Sequence, residues 1–174
     1  INPEPRIPIR MPGIIRLVVP CRGMDTYIAL LRGINVGGNN MIKMADLARL
    51  MEANGCAGVR TYIQSGNAVF RSAASDPDRL AKKIAGAIAK LRGFEPRVLV
   101  LAAAELSRAA AANPFPEATR EPKTVHLFFL AAKPAKPDLK AIEEIRARSE
   151  RVALKGRVFY MHTPDGLGKS KLAT

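Results

Sequence analysis

The sequence predicts an α+β fold in which a β-α-β-β-α-β unit occurs twice in tandem, the second copy truncated at its C-terminus. Three observations carry this expectation. Short apolar runs suited to strands alternate with longer amphipathic stretches of helical period. A two-residue hairpin signal sits at the matching place in each half, and the order restarts after the rigid stretch Asn113-Pro114-Phe115-Pro116. The 174 residues, 48% hydrophobic and 25% charged, suffice for one ordinary core or two small ones. With no Trp and only 5% aromatics, that core must rest on Leu, Ile, Val, Met and Ala.

The elements follow in order. Residues 1–23, with Arg6, Arg10, Arg16 and Arg22 against Glu4, read as a flexible extension without a signal-peptide pattern, and Met24 as the more natural start. Residues 27–32 form a strand. Residues 43–54 form a helix with Met44, Leu47, Leu50 and Met51 on one stripe and Gly55 as its stop. Residues 59–64 and 67–71 are strands joined by Ser65-Gly66. Ser75 or Asp76 caps the next helix, Pro77 lies in its first turn, and Leu80, Ile84, Ile88 and Leu91 make its buried stripe up to Gly93. Residues 97–101 complete a split βαβ unit of the ferredoxin-like kind. A helix over 103–112 and a Pro-rich linker make residues 102–122 a connection. Residues 123–130 are a strand, and 137–147 a helix with Leu139, Ile142 and Ile145 inward. Residues 152–154 and 158–161 are a hairpin across Lys155-Gly156. The second ferredoxin-like half, 123–174, therefore lacks its last helix and strand.

"YIALLRGINVGGNNMIKMADL" (27–47) and "VRTYIQSGNAVF" (59–70) resemble the bacterial family of unknown function numbered DUF family 1697, and "NPF" (113–115) and "DGLGKSKL" (165–172) are similar to further segments of it. The resemblance covers 24–174. It implies an α+β fold with two ferredoxin-like halves and brings no established activity. Residues before Met24, and the lack of a T-x-R-N-W-like tail after Leu172, depart from the family pattern.

The formal net charge is +13, which attracts polyanions such as nucleic acid, nucleotides or acidic surfaces; a basic surface drift would produce the same total. Cys21 and Cys56 give neither a disulfide framework nor a CxxC pair, which points to a reducing cytoplasm. No apolar run approaches the roughly 18 residues of a membrane span.

The loop from Arg32 into the first helix fits neither G-x-G-x-x-G nor the Walker A pattern. Its glycines Gly33, Gly37 and Gly38, with Asn35, Asn39 and Asn40, can free backbone amides for an anion between Arg32 and Lys43. The same residues equally suit a crossover that needs positive φ and side-chain-capped turns. On the hairpin, Gln64 opposite Asn67 puts Arg60, Tyr62 and Gln64 on one face with Asn67, Val69 and Arg71. That face resembles RNA-reading sheets but lacks their aromatic run, and a solvated or covered face accounts for it as well. "GKS" at 168–170 follows a hairpin, and Thr163 stands where a Walker A glycine belongs. His126 and His162 have no metal-ligand spacing, Ser65 is a turn residue, and no carboxylates pair on one face.

The candidate contacts are therefore Arg32, Asn35, Gly37, Gly38, Asn39 and Lys43 from the first loop. Tyr62, Gln64, Ser65 and Asn67 come from the hairpin, and Lys169 and Ser170 from the C-terminal turn. The function expected is a cytoplasmic binding module for a phosphate-bearing partner, nucleic acid or nucleotide. The alternatives are an enzyme on a small anionic substrate, and a structural or interaction protein whose loops only shape the fold. No cofactor, metal or membrane partner is expected, and the oligomeric state is left open.

Overall fold

In a computed structural model, which describes residues 23–64 and 66–173, the apolar runs read as strands pair into two sheets. The extension expected over 1–23 lies outside the described residues except for Gly23, as do Ser65 and Thr174. The chain divides into two compact units, Ile1–Ala103 and Ala104–Thr174. The class is α+β, with two antiparallel sheets and four α-helices among the described residues.

The first unit runs β1 (Asp25–Arg32), α1 (Met44–Ala53), β2 (Ala57–Tyr62), β3 (Asn67–Ser72), α2 (Pro77–Arg92) and β4 (Arg97–Ala102). Its sheet has the order β2-β3-β1-β4, and every neighbouring pair is antiparallel. Strand alternation sends Tyr27, Ala29 and Leu31 of β1, Ala68 and Phe70 of β3 and Val100 of β4 to one side. There they pack with Leu47, Leu50 and Met51 of α1 and Leu80, Ile84 and Ile88 of α2. Each such large aliphatic contributes about 1.5–3 kcal/mol by leaving water. Leu91 shares the α2 stripe by spacing but is exposed in the last turn.

Helix α2 has the boundaries its sequence advertises. Asp76 Oδ1 accepts from the Asp78 and Arg79 amides at 2.9 and 3.1 Å, and Gly93 ends the helix in the left-handed region. Asp76→Ala is expected to destabilise the protein by about 1 kcal/mol. A urea titration followed by circular dichroism checks this through its midpoint, and an unmoved midpoint would mean that the cap contributes nothing.

The hairpin differs from its expected form. Tyr62, not Gln64, faces Asn67, so the connection is four residues long, 63–66. A shift of two residues keeps the side chains that remain paired on their faces. Arg60 and Tyr62 still share a side with Asn67 and Val69. Ile63, expected among the packed residues, leaves the strand with φ 51 and is largely exposed. A β-branched residue adopts that conformation at a cost of about 1–2 kcal/mol. Near the other end, a bulge between Ala57 and Arg60 places Gly58 at φ 60 beneath the Arg71 guanidinium.

The second unit contains α3 (Ala103–Ala111, whose first residue belongs to the first unit), β5 (Val125–Phe129), α4 (Leu139–Ile145), β6 (Arg151–Lys155) and β7 (Val158–His162). The strand order is β5-β7-β6, again antiparallel. Residues read as a connection are part of this unit's packing. Ala109 and Phe115 join Val125, Val158 and Tyr160 in its core, and Tyr160 Oη donates to the Ala109 carbonyl at 2.8 Å. Burial raises the Tyr160 pKa. Helix α4 is shorter than expected: Asp138 caps it, and Arg146 turns extended to donate to Glu143 and to the Glu150 carbonyl. In so short a helix, Leu139 and Ile145 stay about half exposed rather than inward. Among the described residues, no helix is long and apolar enough to cross a membrane.

Candidate anion-binding site

The loop after β1 is anchored at both ends by apolar burial and closed by asparagines. Ile34 and Ile42 are inserted into the core, at 1% and 2% exposure. Between them Asn35, at φ 53, donates from Nδ2 to the Ile42 carbonyl at 3.0 Å and to the Gln64 carbonyl at 2.9 Å. Its Oδ1 accepts from the Ile42 amide at 2.8 Å. The Asn35 amide donates to the Asn40 carbonyl, the Asn39 amide to that of Val36, and Asn40 Nδ2 to that of Gly33. Asn39 Nδ2 reaches the Gly37 carbonyl at 3.4 Å. Gly37 and Gly38 form the exposed tip with positive φ, between the exposed side chains of Val36 and Met41. Three of the loop amides, those of Asn35, Asn39 and Ile42, are thus committed to loop closure. At the α1 N-terminus, Lys43 makes no side-chain cap, and Asp46, paired with Arg92 at 2.7 Å, already places a carboxylate in the first turn.

Positive charge concentrates at the root of the loop instead. The β1–β4 register sets Arg32 directly opposite Arg97. Like charges in that position oppose the pairing by a few tenths to about 1 kcal/mol. Both arginines are exposed, and among the described residues neither has an acidic partner within ion-pair distance. They line an open groove of about 350 Å³ with Gly33, Asn40, Glu95 and Pro96. An arginine fork can donate bidentately to a phosphate or carboxylate, and two such residues line this one opening. Arg97 carries no motif of its own, because only the pairing of β1 with β4 brings it to Arg32.

The same face of the sheet continues outward from this pair. Tyr62, Asn67, Leu30 and Leu99 form the adjacent cross-strand row, and Arg60, Val69, Ile28 and Leu101 the row beyond. Ile28 and Leu101 are buried, Leu30 and Leu99 half-buried, and Tyr62 is 41% exposed. Gln64 meets Asn35 through its backbone carbonyl, while Ser65 lies outside the described residues.

Lys169 and Ser170 belong to the second unit, in a turn that holds itself together. Ser170 is buried and its Oγ accepts from the Leu172 amide at 3.2 Å, whereas Lys169 is exposed. Nearby in that unit, Arg151 pairs with Glu117 at 2.5 Å, lies 5.1 Å from the Phe115 ring centroid and donates to His162 Nδ1 at 3.2 Å. A backbone hydrogen bond and the Arg151 guanidinium hold the Glu117 carboxyl below the usual range. Burial lowers the pKa of His126. Among the described residues, no three His, Cys, Asp or Glu side chains gather to hold a metal ion.

A family model described as "Protein of unknown function (DUF1697)" matches residues 24–160. Among solved structures, the chain is similar to the conserved bacterial protein SP0830 from Streptococcus pneumoniae. The sequence identity is 25% and the TM-score 0.62, over 87% of this chain and 84% of that one. No curated protein matches.

Proposed function

The chain belongs to the DUF1697 family of proteins of unknown function, and on that premise we propose that it is a binding module for a phosphate-bearing ligand, nucleic acid or nucleotide, with Arg32 and Arg97 as the anion contact. One observation carries the reading: two exposed arginines stand directly opposite each other across β1 and β4, without acidic partners among the described residues, over an open groove. Asn40 and Gly33 supply polar groups at its wall. Among the described residues that line the groove, Glu95 is the one carboxylate and none is a histidine, cysteine or serine, so binding is proposed ahead of catalysis. Within the family fold we read the first unit as a ferredoxin-like half, which its strand order β2-β3-β1-β4 supports. The order β5-β7-β6 supports reading the second as the same unit without its last strand. The absence of a membrane-length helix among the described residues is compatible with a cytoplasmic location, which belongs to the same proposal.

Salt dependence tests the proposal. Binding to immobilised nucleic acid should weaken steeply between 50 and 200 mM salt, roughly linearly in log–log form. Removing both guanidinium groups, as Arg32→Ala with Arg97→Ala, should lower that slope by about 1.4–1.8 and the low-salt affinity by about tenfold or more. Absence of retention of the native protein at low salt would overturn the proposal.

A further inference from the structure

We infer that the ligand of this site is a single-stranded nucleic acid, laid across the exposed end of the sheet face with its phosphates at Arg32 and Arg97 and a base stacked on Tyr62. This rests on the anion reading above and names its substrate class. The outward residues of the first sheet, from Arg60 onward on β2, are Arg60 and Tyr62; Asn67, Val69 and Arg71; Thr26, Ile28, Leu30 and Arg32; and Arg97, Leu99 and Leu101. Four are arginine and none is acidic, and Arg32, Arg60 and Arg97 are exposed, so the part of the face that is open carries positive charge.

An aromatic ring stands among these charges. Tyr62 lies at the end of β2, an edge strand, exposed and without a ring partner among the described residues. It is separated from Arg32 by two strand spacings and one side-chain repeat, a backbone distance of about 12 Å. The clamp and the ring therefore address neighbouring nucleotides of a chain. The row between them, Asn67 and Leu30, is half-buried, while Ile28 and Leu101 one row further are buried. The open path thus runs from the arginine pair to Tyr62 and not across the sheet centre. Stacking on a single ring is tolerant of sequence but needs an unpaired base, because a duplex hides base faces inside its own stack. The flat row offers no projecting element for a duplex groove.

The test uses fluorescence anisotropy with four labelled probes: a mixed-sequence single-stranded octamer of RNA, the same of DNA, its duplex, and an abasic octamer that keeps the phosphodiester chain. The native protein should bind the single strands at least tenfold more tightly than the abasic chain or the duplex. Tyr62→Ala should reduce single-strand affinity to the abasic level while leaving abasic binding unchanged, and Tyr62→Phe should retain the native value. Removing both arginines should weaken every probe. Equal affinity for abasic and base-bearing strands, an unaltered Tyr62→Ala variant, or duplex binding as tight as single-strand binding would each overturn the inference and leave the arginine reading intact. Failure to bind any probe would overturn both.

Discussion

Gly66→Ala is expected to destabilise the first unit by about 3 kcal/mol, the sum of overpacking and backbone strain. A Cβ at this position would stand 2.4 Å from Ile34 Cδ1 and 3.0 Å from both Ile34 Cγ1 and Leu31 Cβ. Neither neighbour can swing into solvent, since Leu31 and Ile34 are 6% and 1% exposed. The backbone cannot easily retreat, because the Gly66 carbonyl accepts from the Leu31 amide at 3.2 Å. Gly66 also sits at φ 87, where an L side chain is strained even in open space. Thermal unfolding should show a fall of roughly 10–25 °C. A second variant locates the cause: Ile34→Ala should cost about 1 kcal/mol less in the Gly66→Ala background than in the native protein, because it removes the atoms the new Cβ meets. A melting temperature within about 2 °C of native would refute the close packing under this turn.

Asn35→Ala is expected to lower stability by about 2–3 kcal/mol, because it leaves the Ile42 amide and the Ile42 and Gln64 carbonyls without their side-chain partner. The amide of Asn35 uses both its donors and one acceptor lone pair in these contacts, which join two segments far apart in the chain. Asn35→Asp separates donor from acceptor. Its carboxylate can still accept from the Ile42 amide but faces two carbonyl oxygens, so it should be at least as destabilising as alanine. Asn35→Gly loses the bonds but accepts φ 53 freely, so it should be about 1 kcal/mol less destabilising than alanine. Urea unfolding reads the totals, and hydrogen exchange at the Ile42 amide reads the local loss. If all three variants stay within about 0.5 kcal/mol of native, the side chain does not hold the loop.

These two positions also show how far the sequence could be read. The strands and helices were legible because their signals are local. Apolar residues recur at two or at three to four positions, Asp76-Pro77 opens a helix and Gly93 closes one. The outward face of the hairpin was legible even though the turn was placed two residues away, since a period of two survives such a shift. The family was legible from two long motifs and is matched over 24–160. Gly66 was visible as a turn glycine, but the side chains of Leu31 and Ile34 against it were not. Asn35 carries both a ligand-contact and a turn-capping reading; its contacts lie within the loop and with the hairpin, and they leave one acceptor lone pair.

The sequence by itself therefore determined the elements, their order, the basic character of the chain and the side of each strand that avoids water. Those properties arise from neighbours a few residues apart, whose geometry the backbone repeats everywhere. Only the tertiary structure decided that Arg32 stands against Arg97, that Ile63 bends outward at positive φ, and that α4 leaves Leu139 and Ile145 half exposed. Each of these depends on which distant segments pair and how much surface they cover. Strand pairing is set by the packing of whole faces rather than by the arginines themselves, so no local pattern announces where two like charges will meet.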